Sequence, residues 1–248
     1  MPSAPWTPGH TAAALAGGHL LIAGAPGTGK SRLLNGTLLP ALVCAGDPLL
    51  VIQDPATGHG PTLGLRAATF GREAAVGDLL ARPTLVTFTG THPEREAQAE
   101  RLFADLPAAL AAAPAPAGTR RFLVIDVAPL TPALRSLAPL LRQARSLGCT
   151  LIVTCQSPSS LEPGLPALFT SHVAFYHFYK RCLRVMAENV LAATGAAETN
   201  PSGKPTPINR FGQPLATPVS RMVGRLGELK VGECFLVTPG APYEPLRT

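Results

Sequence analysis

Gly24-Ala25-Pro26-Gly27-Thr28-Gly29-Lys30-Ser31 decides the fold, because this stretch has the form G-x-x-x-x-G-K-[ST] of a phosphate-binding loop. Gly27 and Gly29 can adopt backbone conformations that are closed to residues with a Cβ, so successive N–H groups can turn towards one anion. Lys30 is expected to reach the β- and γ-phosphates, and Ser31 is expected to place a hydroxyl on Mg²⁺. The stretch, extended to Arg32 in the next turn, therefore predicts a site for ATP and Mg²⁺.

The sequence on either side supports this interpretation. His19-Leu20-Leu21-Ile22-Ala23 is a short apolar run that predicts a buried strand, and residues 31–39 carry apolar side chains at helical spacing. A strand, a glycine loop and a helix are the setting that the motif requires. A glycine-rich turn that matches by accident is disfavoured, because all four fixed positions are present in that setting.

The composition predicts a chain that is either compact or covers part of its surface with partners. The chain has 248 residues, of which 46% are hydrophobic and 15% are charged, so little polar surface is available. The net charge of +6 permits an anionic partner, although a basic surface without such a partner is also common. The five cysteines form no C-x-x-C pair and predict buried thiols in a reducing compartment.

No apolar run is long enough for a transmembrane helix, and the first residues lack the pattern of a secretory signal. We therefore expect a cytoplasmic protein with no direct membrane span. Any attachment to a membrane would come through a partner protein.

Apolar runs that predict strands alternate with stretches at helical spacing, which indicates an α/β fold with a mainly parallel sheet and helices on both faces. The predicted strands are residues 19–23, 49–53, 84–88, 122–126, 149–154, 172–178 and 233–237. We predict an irregular lead-in over residues 1–18 and a single domain over residues 19–248. Within that domain, loops are predicted at 54–71 and 195–218, and a tail from residue 239.

Three polar side chains, Asp54, Asp126 and Gln156, come at the ends of predicted strands, where ligands of parallel sheets bind. Asp126 closes an apolar run in the pattern of a Walker B strand, whose carboxylate holds Mg²⁺, although such an Asp is often only a helix cap. Gln156 is a candidate to hydrogen-bond the γ-phosphate or its water. The alternative for Gln156 is a polar strand end beside a Ser/Pro turn.

Val127 follows Asp126, whereas many nucleotide-driven motors carry Glu at that position to activate the attacking water. Either another group performs this role or hydrolysis is slow. Asp54 is one candidate substitute, and His59 is a weaker one, because an exposed loop histidine is the favoured explanation for it.

Arg181 and Arg184 lie beyond the strand predicted at 172–178. An arginine at a subunit boundary can reach the neighbour's γ-phosphate and stabilise transition-state charge, as an arginine finger does. A solvated start of a helix explains either residue at least as well.

Five segments in order resemble the FtsK/HerA superfamily of P-loop motors, and within it most closely the TraG/TraD-type coupling ATPases of conjugative DNA transfer. These segments are Gly24–Ser31, Val51-Ile52-Gln53-Asp54-Pro55, Leu123-Val124-Ile125-Asp126, Thr150–Ser159 and Leu226–Val237. They span nearly the whole chain. The glutamine motif around Gln156 is the most discriminating of them.

The resemblance implies a RecA-like P-loop domain that forms a homo-oligomeric ring, expected to be a hexamer, with ATP between subunits and double- or single-stranded DNA in the channel. The chain departs from the family at Val127, in lacking a lysine or glutamate soon after Asp54-Pro55, and in lacking a membrane anchor and an inserted all-α domain. The last departure favours a compact motor of a mobile element, or a virion-associated genome-packaging ATPase. Membrane-complex or capsid proteins are its expected partners.

Two functions are consistent with these sequence features. The first is an ATP-dependent DNA translocase that acts in packaging or conjugation. The second, which Val127 supports, is an ATP-binding assembly or regulatory subunit with weak hydrolysis. A small-molecule kinase is disfavoured, because no arginine-rich lid segment is present and the glutamine motif would be unexplained.

Overall fold

A ten-stranded sheet forms the centre of the computed structural model, which describes residues 3–54, 64–70, 76–116, 118–126, 137–162, 164–193, 218–239 and 245–248. The strands are β1 (Ala4–Pro5), β2 (Leu20–Ala23), β3 (Leu49–Gln53), β4 (Arg66–Thr69), β5 (Thr84–Thr87), β6 (Arg121–Asp126), β7 (Cys149–Cys155), β8 (Ser171–Phe175), β9 (Glu233–Val237) and β10 (Pro245–Arg247).

Helices connect most of these strands. They are α1 (Pro8–Ala16), α2 (Lys30–Leu33), α3 (Leu39–Ala45), α4 (Val76–Leu79), α5 (His92–Ala112), α6 (Leu137–Ala144), α7 (Lys180–Ala193) and α8 (Pro218–Gly227). A π-helical segment, Leu34–Leu38, joins α2 to α3, so the helix after the phosphate loop is continuous. None of the described helices is both long and apolar enough to cross a membrane.

The strand order is β1-β10-β9-β8-β2-β7-β6-β3-β5-β4. The run from β8 to β4 is parallel throughout, and β9 pairs antiparallel with β8. The predicted α/β fold with a mainly parallel sheet is therefore confirmed. The phosphate loop follows β2 in the middle of the sheet, with β8 on one side and β7 on the other.

Helices cover both faces of the sheet, which is why the central strands are apolar almost throughout. In β2, Leu21 and Ala23 pack into a core with α5, α6, α7 and α8, whereas Leu20 and Ile22 pack into a second core with α1, α2 and α3. Strand β2 thus contributes alternate side chains to two separate cores. All five cysteines are free thiols and all but Cys44 are buried, in agreement with the sequence.

The N-terminal segment is not the irregular lead-in that the sequence predicts. Thr7 caps α1, with its side chain accepting a hydrogen bond from the His10 N–H at 3.4 Å, and Pro8 occupies the first turn. The preceding residues form β1, which pairs with β10 at the far edge of the sheet. The predicted tail was also wrong at Pro245–Arg247, because these residues form β10 against β9.

Two further predictions differ from the structure. Arg66–Thr69 lies in the predicted loop 54–71 but pairs with β5 as strand β4; its sequence, R-A-A-T, has low strand propensity, so its pairing with β5 decides the outcome. The strand predicted at 172–178 ends at Phe175, which frees the next residues to form a loop. Residues 195–217 of the other predicted loop lie outside the described residues.

A buried histidine makes the fold sensitive to acid. His172 in β8 is 5% exposed, and burial lowers its pKa from 6.5 to about 4, although a hydrogen bond from its ring to the Phe169 carbonyl opposes the shift. The folded state therefore holds a neutral imidazole that the unfolded chain protonates near its ordinary pKa. The corresponding stability is complete above pH 6.5 and is lost as the pH falls from 6.5 towards 4.

We predict that His172→Gln, which cannot protonate, removes this loss. When the pH falls from 6.5 to 4, the free energy of unfolding of the wild type should fall by about 3 kcal/mol more than that of the variant. Urea denaturation at both pH values measures the difference, and other buried histidines cancel because both proteins carry them. Equal losses in the two proteins would contradict the prediction.

Candidate functional site

The parallel strands bring the predicted site residues to one edge of the sheet. The phosphate loop follows β2, Asp54 follows β3, Asp126 is the last residue of β6, and Gln156 follows β7. Because these strands run in the same direction, all four features lie at their carboxyl ends. The structure therefore brings the candidate residues that the sequence selected to one edge of the sheet.

The start of the phosphate loop is hydrogen-bonded at the ends of β7 and β8, the strands on either side of β2. The Gly24 N–H donates to the Cys155 carbonyl at 3.3 Å, and the Ala25 N–H donates to the Tyr176 carbonyl at 3.0 Å. A Cβ at Gly24 would lie 2.5 Å from the Cβ of Phe175, so only glycine fits against this strand. The loop is thus fixed between the ends of β7 and β8.

The second half of the loop is held by the turn that precedes β9. The Thr28 carbonyl accepts a hydrogen bond from the Gly232 N–H at 2.9 Å, and the Thr28 hydroxyl donates to the Ala25 carbonyl at 2.7 Å. Gly27 and Gly29 have φ values of +75° and +118°, the left-handed region that favours glycine. The sequence motif predicted this backbone, but nothing in it pointed to Gly232.

Lys30 lies folded over the loop and is buried. Its Nζ donates to the carbonyls of Gly24 and Ala25 at 2.7 and 2.8 Å. An ammonium group has three donors, so one remains for a phosphate oxygen. Burial lowers the pKa of Lys30, and the nearby Cys155 and Asp126 oppose this shift. Ser31 and Arg32, in the same first helical turn, are exposed.

Asp126 is buried and is held from both sides. Its Oδ1 accepts a hydrogen bond from the Thr154 hydroxyl of β7, and its Oδ2 accepts one from Gln53 Nε2 of β3 at 3.5 Å. The sequence predicted Asp126 but missed these two partners. The available signal was a polar side chain at the end of an otherwise apolar strand, which both Thr154 and Gln53 provide.

Asp54 is fully buried and contacts an arginine from a helix. Its Oδ1 lies 3.5 Å from Arg95 Nε of α5, and its backbone N–H donates to the Asp126 carbonyl at 3.3 Å. The carboxylate therefore stands beside a cation that no sequence pattern selects. Val127 and His59, the other residues discussed for water activation, lie outside the described residues.

Gln156 is exposed and follows β7, and its backbone carbonyl accepts a hydrogen bond from the ring of His177. The Tyr179 N–H donates to His177 Nδ1 at 3.1 Å, so the ring connects two loops. Burial lowers the pKa of His177, the Gln156 carbonyl opposes the shift, and the charge of Lys30 adds to it. Sequence reasoning missed His177, because the residue falls inside the strand predicted at 172–178.

The two candidate arginine fingers lie near the start of α7, and both are exposed. Arg184 Nε forms an ion pair with Glu188 Oε1 at 3.0 Å on the same helix. Within the part of the chain that the structure describes, Arg181 has no ion pair. Arg181 is the second residue of α7 and is therefore the nearer of the two to the loop that carries His177.

Known proteins resemble this chain in structure, although no family model or curated protein resembles it in sequence. No protein-family model matches the sequence, and no curated protein matches it. Among solved structures, the genome-packaging NTPase B204 of Sulfolobus turreted icosahedral virus 2, in complex with AMPPCP, matches with a TM-score of 0.60 and 14% identity, over 92% of this chain and 96% of that one. The unbound bacterial conjugative coupling protein TrwB matches with a TM-score of 0.58 and 14% identity, over 92% and 84%.

The chain has the P-loop NTPase fold of these proteins. This result confirms the resemblance that the sequence motifs predicted. A complex of TrwB with ADP and Mg²⁺ matches as well, with a TM-score of 0.57. At 14% identity, this likeness shows the fold alone.

The residues near the phosphate loop fit a Mg²⁺ ion that is bound by only one or two protein ligands. Ser31 has a hydroxyl and Asp126 has a carboxylate, and Mg²⁺ prefers oxygen ligands of these kinds. The described residues contain no group of three or more His, Cys, Asp or Glu side chains that would form a protein cage. Mg²⁺ in nucleotide sites typically takes its remaining ligands from phosphates and water.

We predict that Gly24→Ala destabilises the P-loop domain, because its Cβ would force the loop away from Phe175. The free energy of unfolding should fall by about 1–3 kcal/mol, and nucleotide affinity should fall with it. Gly36→Ala is the matched control, since Gly36 lies in the helix after the loop and a Cβ added there would have nothing within 4 Å. Chemical denaturation should show that the control is neutral or stabilised, and equal behaviour of the two variants would contradict the argument.

Proposed function

We propose that this chain is an ATP-dependent DNA motor of the FtsK/HerA type, which hydrolyses ATP at the subunit interfaces of a homo-oligomeric, hexameric ring. The observation that carries the proposal is the placement of Lys30 and Asp126 at one sheet edge by the strand order β2-β7-β6. B204 is a genome-packaging NTPase and TrwB is a conjugative coupling protein, and each matches more than nine-tenths of this chain. These likenesses favour DNA as the substrate that the motor moves.

Different residues of the site have different roles in hydrolysis. The loop N–H groups and the remaining donor of Lys30 hold the β- and γ-phosphates, while Ser31 and Asp126 are the ligands for Mg²⁺. Mg²⁺, when bound, neutralises charge on the phosphates. Gln156 is exposed at the next strand end, where its amide can orient water for attack on the γ-phosphorus. That attack forms a bond from the water oxygen to the γ-phosphorus while the bond from the γ-phosphorus to the β–γ bridging oxygen breaks, which releases ADP and phosphate.

The expected nucleotide and partners follow from the same likeness. TrwB forms complexes with a non-hydrolysable GTP analogue and with ADP and Mg²⁺, so a nucleoside triphosphate with Mg²⁺ is the ligand proposed here. The net charge of +6 favours sequence-tolerant contacts with the DNA backbone. A capsid or a membrane-bound transfer complex would recruit the motor, in a virion or in the cytoplasm.

A second candidate is an ATP-binding assembly or regulatory subunit with weak hydrolysis. Val127 occupies the position where many motors carry the acid that activates water. The substitute that the sequence suggested, Asp54, is fully buried with Arg95 beside its carboxylate. A general base must lie within hydrogen-bond reach of the water it activates, and a carboxylate shielded from solvent beside a cation is poorly placed for this. These two observations favour slow turnover.

The decisive measurement is ATP turnover with and without double-stranded DNA. For a motor, we expect DNA to stimulate turnover and Lys30→Ala to abolish both turnover and ATP binding, because the variant loses the phosphate-binding cation. DNA affinity should fall steeply with rising salt. Tight ATP binding without turnover under any DNA condition would contradict the motor and favour the regulatory subunit.

We predict that Arg181, rather than Arg184, acts as the arginine finger, since Glu188 already pairs with Arg184. Arg181→Ala should lower kcat by about 10³-fold with little change in ATP affinity, whereas Arg184→Ala should have a small effect. Mixing Arg181→Ala with Lys30→Ala subunits should restore part of the turnover, because some interfaces then combine an intact Lys30 with an intact Arg181. No recovery in the mixture would show that Arg181 does not act across a subunit boundary.

A further inference from the structure

Three large apolar side chains stand out because they are exposed to solvent. Phe178 is 65% exposed, Tyr179 is 70% exposed and Val231 is 76% exposed, and no other large hydrophobic side chain of the described residues is as open. Exposed apolar side chains are common singly, but a local group of them marks a surface that binds something. The positions of these three residues therefore need an explanation.

All three lie at the same end of the sheet, next to the phosphate loop. Strands β8 and β9 run antiparallel and their last pair is Phe175 with Cys234. Phe178 comes three residues after Phe175, and Val231 comes three residues before Cys234, so both extend past the same end of this strand pair. We call Phe178, Tyr179 and Val231 the apolar rim.

Both segments of the apolar rim are hydrogen-bonded to the phosphate loop. The Tyr176 carbonyl, two residues before Phe178, accepts from the Ala25 N–H at 3.0 Å. The Gly232 N–H, next to Val231, donates to the Thr28 carbonyl at 2.9 Å. A molecule held by the phosphate loop is therefore within reach of the apolar rim.

The orientation of the nucleotide follows from the proposed function, on which this inference rests. Asp126 and Gln156 act at the γ-phosphate, and they belong to β6 and β7, which lie on one side of β2. Strands β8 and β9 lie on the other side. A triphosphate whose γ end points towards β7 and β6 extends its nucleoside end towards β8 and the apolar rim.

The two rings of the apolar rim are held in place by their neighbours. Phe178 packs edge-to-face against Tyr176, with ring centroids 5.1 Å apart and an interplanar angle of 88°. Tyr179 packs against His177 at 5.6 Å, and its N–H donates to His177 Nδ1. Exposed aromatic faces that are already positioned lose little freedom on binding a flat ligand.

We propose that the apolar rim is the binding site for the base of the nucleoside triphosphate. Phe178 and Tyr179 supply the stacking surface, and Val231 supplies an aliphatic contact from the opposite segment. Stacking uses the face of a base rather than its hydrogen-bonding edge, so the site does not select among bases.

The test compares ATP with inorganic tripolyphosphate, which has the phosphates but no base. Calorimetric titration in the presence of Mg²⁺ should show that the double variant Phe178→Ala/Tyr179→Ala binds ATP about tenfold more weakly or worse. Its affinity for tripolyphosphate should be unchanged. Tyr179→Phe keeps the ring and should keep the ATP affinity, and Lys30→Ala should lose both ligands.

Unchanged ATP affinity in the double variant would overturn the proposal, and sedimentation would then show whether the rings instead contact a second copy of the chain. An equal loss of affinity for ATP and tripolyphosphate would also overturn it, because the rings would then only support the phosphate loop. A wild-type protein that binds neither ligand would overturn the proposed function itself. The failures of the two proposals are therefore distinguishable.

Discussion

The site depends on the contact between the phosphate loop and the ends of β7 and β8. The N–H groups of Gly24 and Ala25 continue the hydrogen bonding of the sheet into the loop, and Phe175 leaves no space for a Cβ at Gly24. The backbone therefore enters the loop in one position. The position of Lys30, and of the helix that starts with it, follows from that constraint, because the loop between them is short and its glycines have fixed conformations.

The strand order then determines which groups meet this lysine. Only β7 lies between β2, which leads into the loop, and β6, which ends at Asp126. The charge of Asp126 is therefore close enough to raise the pKa of Lys30 against the effect of burial. Thr154 and Gln53 hydrogen-bond the same carboxylate from the strands on either side. A buried charge is costly unless such partners satisfy it, so these polar residues within apolar strands fix the acid at the edge of the sheet, where we propose that it binds Mg²⁺.

The remaining polar groups at this edge give the site its asymmetry. Asp126, Gln156 and the Asp54–Arg95 pair lie on the side of β7, β6 and β3, whereas His177 and the apolar rim lie on the side of β8 and β9. The first side has polar groups, which we propose act on the phosphates, and the second has exposed aromatic faces. His177 connects the two, because its ring bonds the Gln156 carbonyl and contacts Tyr179.

Local patterns in the chain were enough to predict the phosphate loop, most of the strands and the edge on which Asp54, Asp126 and Gln156 lie. These patterns are a fixed motif, apolar runs and the polar residue that ends each run. Only the folded chain reveals that Arg95 stands beside Asp54, that Gly232 supports the loop, and that β1, β4 and β10 pair at all. The physical reason is that most of these contacts join segments far apart in the chain. Even where the segments are closer, as for β4 with β5 and β10 with β9, their residues have no pattern that selects the partner before the sheet has formed.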